Sequence, residues 1–355
     1  MNINEALQHC LSECKFPNTS FTLAQLNIKL IPDSMENPQT LLLQAPFPFH
    51  QQYTALKNSL QEHLPESLNN LDIQCQYLIR PHQTQLAGKM LKGVKNVIAI
   101  GSGKGGVGKS TIAANLAIAL ARSGARVGLL DADIYGPSIP MMFGIKAQPE
   151  VKDEHYIPVN SHGVDTMSIG LLTGDEPALI WRGPMLAKSL LQMMNLTLWD
   201  NLDYLFIDLP PGTGDIQLSL VQKIPLAGAV IVSTPQQIAT LDAEKAIKMF
   251  ERTNVPVLGI IENMSLFTCP QCGHEESVFG TQGIEQLCTT HQTECIARLP
   301  LARSIQEDCD KGKPTATANT NAYAEIFNQA ALQLSIILSN RGLNYADRMP
   351  PVVSD

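Results

Sequence analysis

Gly103, Gly108, Lys109 and Ser110 stand in the spacing G-x-x-x-x-G-K-[ST], and five glycines fall within the eight residues from Gly101 to Gly108. Residue types in this spacing bind phosphate. Bare backbone N–H groups of the segment Gly103, Lys104, Gly105, Gly106, Val107 and Gly108 curl around phosphate oxygens. Lys109 neutralises β/γ charge, and the hydroxyl of Ser110, with Thr111 beside it, reaches Mg2+. Asp131 and Asp133 in one segment and Asp208 in another supply carboxylates suited to Mg2+ or to the attacking water. Asn263 offers a donor and an acceptor to a purine edge, or forms an ordinary Asx turn. Arg182, in Trp181-Arg182-Gly183-Pro184, fits a phosphate or partner contact and equally a surface salt bridge.

Lys104 is set apart, because Lys109 already serves the phosphates of its own loop. A lysine here has the reach to cross a two-fold axis to the nucleotide of a second copy, which would tie ATP binding to homodimerisation. A solvated loop lysine is the plainer alternative.

Cys269-Pro270-Gln271-Cys272 lets two thiolates converge on one soft metal centre. A tetrahedral zinc or a four-iron cluster takes four ligands, so the pair is half a site. Cys288 and Cys295 could complete it within the chain, although their separation is too wide for a zinc ribbon. Alternatively, a two-fold dimer brings two such pairs together. Lys104 independently points to a dimer, which puts bridging first. A thioredoxin-like redox pair lacks its fold context, and His274 reads as a loop histidine.

These residues need a scaffold that places strand ends beside one another. Val97 to Ile100 is an apolar β-branched run, and after the loop Ile112, Leu116 and Leu120 recur at helical spacing. Strand candidates then alternate with helical patterns: Val127 to Leu130, Val164 to Ile169, Tyr204 to Ile207, Ala229 to Val232, Val257 to Ile261 and Cys295 to Leu299. This is the signature of a doubly wound α/β fold with a mostly parallel sheet, whose ligands sit at the carboxyl ends of the strands. The acids and Asn263 follow such strands directly.

Residues 1–80 read differently, with few glycines and a pattern of helix, two strands, helix and strand. The strands are expected at Leu26 to Leu30, Thr40 to Gln44 and Ile73 to Ile79, with a helix over Tyr53 to Leu64. A small α+β domain over 1–80, a linker over 81–95, an ATPase domain over 96–338 and a polar tail over 339–355 follow. A net charge of −8 argues against nucleic acid as the main partner. No apolar run reaches the roughly 18 residues of a spanning helix. With no targeting segment evident, a cytoplasmic, membrane-free protein is expected, and its eight cysteines read as thiols or metal ligands.

GSGKGGVGKST, DADIYGPSIP, WRGPM, DLPPGTGD, STPQQIATLDAEKA, IENMSLFTCPQCG and LPLARSIQEDCDKGKP occur in the order typical of the Mrp/ApbC family of P-loop ATPases. The resemblance covers about residues 94 to 314, and the loop is similar to the deviant P-loop of the MinD/ParA and nitrogenase iron-protein group. It implies that Lys104 is the signature lysine acting across the dimer, and that Lys109 and Ser110 are the nucleotide and Mg2+ pair. Asp133 would serve in switch I, Asp208 in Walker B as an outer-shell Mg2+ partner, and Asn263 near adenine. It further implies that Cys269 and Cys272 bind a [4Fe–4S] cluster across a homodimer. Cluster-assembly scaffolds and apo iron–sulfur proteins would be the partners, with slow ATP hydrolysis coupled to loading or release. Residues 1–80 resemble a degenerate form of the small MIP18-like domain with which many members begin. The rival expectation, a ParA/MinD-like spatial organiser with structural zinc, calls for a basic face or a membrane-binding tail that the sequence lacks; a kinase lacks an acceptor site.

Overall fold

The computed structural model describes residues 3–36, 38–134, 136–173 and 183–344. At its centre the strand Val94–Gly101 is buried almost throughout, because apolar residues occupy both of its faces and helices cover both. It begins two residues before the expected boundary at 96. Val94 pairs in register with Leu202, so the last two residues of the expected linker are sheet.

The main sheet has eight strands. Their order is Cys295–Arg298, Val257–Glu262, Gly228–Ser233, Val94–Gly101, Leu202–Asp208, Val127–Asp131, Val164–Ser168 and Val159–Ser161. All neighbours are parallel except the last pair. That short antiparallel edge strand has no counterpart among the expected strands, since three residues ahead of a tight turn carry no periodicity. The other strands lie within three residues of their expected ends, and the fold is the anticipated α/β one.

One face of the sheet is covered by the helix Lys109–Arg122 and the helix Ala322–Ser339. The other is covered by Gly183–Leu196, Asp215–Lys223 and Gln237–Arg252. Ile112, Leu116 and Leu120 are all buried, as their spacing requires.

The N-terminal residues form a three-stranded sheet of Lys29–Pro32, Thr40–Ala45 and Asp72–Tyr77, with the helices Ile3–Glu13 and Tyr53–His63. The first strand starts later than expected: Asn27 takes a left-handed φ of 56° within a turn, which ends the apparent alternation of Leu26 to Leu30. Its apolar cluster includes Leu332 and Ile336 of the helix Ala322–Ser339, so this sheet packs on the last helix of the chain. A buried asparagine joins the connecting segment to the central strand. Asn96 accepts from the backbone N–H of His82 (3.0 Å) and donates to the carbonyls of Arg80 (3.0 Å) and Asp203 (3.2 Å).

Candidate functional site

Strand register brings the acids to the glycine loop. Asp208 is in register with Ile100 on one side and with Asp131 on the other. Three carboxyl ends therefore meet where the loop leaves the central strand. Gly106 and Gly108 have φ of +79° and +85°, which glycine alone adopts without strain. Gly103 is required for a second reason. A Cβ there would lie 2.0 Å from the backbone carbon of Asp242, so only a bare Cα lets the loop pass the helix Gln237–Arg252.

Lys109 opens the following helix and is only 6% exposed; Asp208 is fully buried. The Lys109 ammonium lies 2.5 Å from Asp208 Oδ1, and the Ser110 hydroxyl donates to Oδ2 of the same carboxylate, also at 2.5 Å. One carboxylate thus holds the two side chains that the loop pattern assigns to nucleotide and Mg2+. Asp131 is buried beside it and accepts from the backbone N–H groups of Asp133 (3.1 Å) and Ile139 (3.2 Å) and from Ser168 Oγ (3.1 Å). Burial, with the Asp208 carboxylate close by, pushes the Asp131 carboxyl up to about 7. Asp131 therefore shapes the loop that carries Asp133.

A cavity of about 210 Å³ opens over the loop, lined by Lys104, Lys109, Ser110, Asp133 and Pro211 among others. The segment Pro210 to Gly212 closes one side of it: the Gly212 N–H donates to the Ser102 carbonyl (3.0 Å), and the Gln217 amide donates to the carbonyl of Pro211. A second cavity of about 450 Å³ adjoins, sharing Gly108, Thr111 and Met142 and bounded by Asn263. The Asn263 carboxamide donates to the Val107 carbonyl (2.9 Å) and accepts from the Met264 N–H (3.0 Å), so it clasps the loop at the mouth of this cavity.

Lys104 Nζ lies 3.4 Å from Gln236 Oε1 of the same chain. Gln236 carries no motif that marks it for this contact. It follows the strand Gly228–Ser233 at the same carboxyl edge, and that placement is the one signal the sequence offers.

Cys269 and Cys272 sit in a hairpin between the paired strands Phe267–Thr268 and Glu275–Glu276. Cys269 N–H donates to His274 O (2.8 Å), Gly273 N–H donates back to Cys269 O (2.9 Å), and Gly273 takes φ +72°. Backbone N–H groups of Gln271 and Cys272 hold the Cys269 thiol below its usual range, favouring the thiolate that ligates metal. Cys272 is exposed. Cys288 and Cys295 instead pack against the sheet core, where burial pushes the Cys288 thiol up to about 11. Among the described residues no three His, Cys, Asp or Glu side chains come together as a metal site, so the intrachain route to a four-ligand centre is not formed. Trp181, Arg182 and Tyr135 lie outside the described residues.

No helix among the described residues is long and apolar enough to cross a membrane. Residues 93–335 match the family model described as ParA: NUBPL iron-transfer P-loop NTPase. The chain is 51% identical over 290 residues to an iron-sulfur cluster carrier protein of Pseudomonas fragi, covering 79% of this chain and 99% of that protein. It is 45% identical over 254 residues to the iron-sulfur cluster transfer protein NUBPL of Mus musculus, covering 69% of this chain and 80% of that protein. Among solved structures, a nucleotide-binding protein of Archaeoglobus fulgidus in complex with ADP is 40% identical, with a TM-score of 0.59 over 67% of this chain and 93% of that one. The cell division ATPase MinD of Pyrococcus furiosus shares the fold, with a TM-score of 0.52 at 21% identity over 67% of this chain and 98% of that one. With a formed phosphate loop on a parallel sheet and a family match spanning that sheet, this chain belongs to the NUBPL-type iron-transfer P-loop NTPases of the ParA group.

Proposed function

We propose that this protein is a cytoplasmic, ATP-hydrolysing iron–sulfur cluster carrier. It works as a homodimer in which Cys269 and Cys272 of each subunit hold a [4Fe–4S] cluster between them, accepted from an assembly scaffold and delivered to apo-proteins. The observation that carries this reading is the exposed Cys269/Cys272 hairpin, which offers two thiol ligands and no more, on the chain that also forms the phosphate loop. A two-fold axis doubles two ligands into the four that the cluster takes.

Each loop residue has a part in this reading. Lys109 exchanges Asp208 for the β- and γ-phosphates, while the N–H groups of Gly103 to Thr111 cradle them and Lys104 reaches the nucleotide of the second subunit. The all-oxygen donor set of Ser110, Asp133 and Asp208 fits Mg2+, which supplies charge neutralisation on the phosphates. Asp133, on the loop that the buried Asp131 shapes, orients the attacking water, and Asn263 borders the cavity that takes the purine. Release of Asp208 by Lys109 and Ser110, together with movement of Pro210 to Gly212, couples nucleotide state to the dimer that presents the cysteines.

Anaerobic reconstitution with absorption and Mössbauer spectroscopy tests the cluster assignment. Wild type and Cys288→Ala are expected to take up a four-iron cluster and Cys269→Ala to lose it. A zinc-only protein whose metal depends on Cys288 overturns the bridging reading. Unchanged delivery to an apo-acceptor by Lys109→Ala overturns the coupling to ATP.

A further inference from the structure

A cavity of about 310 Å³, sharing no residue with the cavities at the glycine loop, lies where three segments meet. The N-terminal sheet contributes Lys29 and Gln44, the connecting segment contributes Arg80, and the turn after the last helix contributes Arg341. Its frame is tied together by backbone hydrogen bonds: Gln83 N–H to Gly342 O (2.8 Å) and Asn344 N–H to Pro81 O (2.9 Å). His82 is fixed at one wall by Asn96, 2.9 Å from its Nδ1.

The charge of this cavity runs against that of the chain. The protein carries −8 overall, yet Lys29, Arg80 and Arg341 line the cavity, and among the described residues no aspartate or glutamate does. Among the described residues none of the three forms an ion pair. Arg341 is the telling residue. Its Nε is buried and has no hydrogen-bond partner among the described residues, and burial lowers the affinity of the guanidinium for its proton although it stays charged at neutral pH. A partly buried, unpaired guanidinium costs free energy unless an anion meets it.

We propose that this cavity binds a small organic oxyanion, a carboxylate or a phosphate ester, held by the guanidinium forks of Arg341 and Arg80 and the ammonium of Lys29. Planar forks match both oxyanion types, so the shared chemistry is the oxyanion. The Gln44 amide donates to Gln76 Oε1 (2.6 Å) and has a second N–H for a ligand oxygen, and Leu78 and Pro46 give apolar cover to a carbon skeleton, which a bare inorganic ion would leave unused. Because the three walls come from the N-terminal sheet, the connector and the C-terminal turn, an occupant clamps these segments together. This inference stands apart from the iron–sulfur reading.

Isothermal titration calorimetry on the full chain tests it, with the nucleotide site saturated by ADP and Mg2+ so that anions do not report on the glycine loop. Succinate, which binds Mg2+ only weakly, glycerol 3-phosphate and inorganic phosphate are titrated separately; the first two distinguish a carboxylate source from a phosphate one. At least one organic anion is expected to bind at one per chain and more tightly than inorganic phosphate. Arg341→Gln is expected to weaken that binding at least about tenfold, as for loss of a charged hydrogen bond, and Arg341→Lys to restore part of it. Without the anion, ATP hydrolysis by these variants should match wild type, and Arg341→Gln should melt no lower than wild type because it removes an uncompensated charge, which separates a lost ligand from a lost fold. No binding of either organic anion at millimolar concentration, tighter binding of inorganic phosphate, or binding indifferent to Arg341→Gln overturns the proposal.

Discussion

Replacing Lys109 by methionine tests the physics of the nucleotide site directly. The side chain is 6% exposed and its ammonium lies 2.5 Å from Asp208, which is itself fully buried and beside the buried carboxyl of Asp131. Methionine keeps most of the volume and removes the charge, leaving Asp208 with the Ser110 hydroxyl as its remaining side-chain partner among the described contacts. Breaking a buried pair by removing one partner costs about 3–5 kcal/mol, and the adjoining cavity of about 210 Å³ admits water, which argues for the lower end. At roughly 2–4 °C per kcal/mol, the nucleotide-free protein should melt on the order of 6–12 °C lower. The assay is circular-dichroism melting without nucleotide, repeated with Asp208→Asn and with the double variant. Lys109→Met/Asp208→Asn should recover much of the loss, because neither charge is then orphaned. Added ATP should raise the melting temperature of wild type but not of Lys109→Met. A nucleotide-free melt of Lys109→Met within about a degree of wild type, or a double variant as unstable as the sum of the singles, would refute the argument.

Gly103→Ala should lower nucleotide affinity severely, as measured by fluorescent-nucleotide titration, because its Cβ would meet the backbone of Asp242 at 2.0 Å and the loop must move away. Asn263→Ala leaves the Val107 carbonyl without its 2.9 Å donor, so about 1–3 kcal/mol of stability should be lost in urea unfolding, with weaker ADP binding. Cys272→Ser should abolish cluster uptake while leaving the melting temperature within about a degree, since the side chain is exposed and belongs to none of the buried clusters. Burial beside Arg341 lowers the His82 pKa from its usual 6.5, so below that pH the unfolded chain takes up a proton that the folded chain refuses. The His82 contribution is therefore full above about pH 6.5 and is lost as the pH drops below it, opposite in sign to that of the raised Asp131 carboxyl; in pH-resolved urea titrations the difference between wild type and His82→Gln should shrink as the pH falls below 6.5.

Much of the site is legible in the sequence because its chemistry is local. Gly103 to Ser110 are contiguous, and the φ of Gly106 and Gly108 follows from a requirement that only glycine meets. The acids follow from a rule about sheets: Asp131 and Asp208 end apolar runs, and such ends face the ligand in parallel folds. Gln236, which meets Lys104 across 132 positions of chain, carries no local pattern of its own. The alternation of Leu26 to Leu30 misleads for the converse reason: periodicity over so few residues cannot register a left-handed turn at Asn27.

By itself the sequence determined the phosphate loop and the doubly wound fold, and it marked the pair Cys269-x-x-Cys272, since each depends on residue type and short spacing. Only the tertiary structure decided what long-range packing controls. Strand register places Asp208 between Ile100 and Asp131, and hence Lys109 and Ser110 on one carboxylate. The hairpin leaves Cys272 exposed and Cys269 half-buried outside the core clusters, while Cys288 and Cys295 pack half-buried against the sheet core, although sequence spacing could have joined the four thiols. The gathering of Lys29, Arg80 and Arg341 from distant parts of the chain is a property of closure alone, because no local pattern encodes which chain segments a folded sheet and its last helix bring face to face.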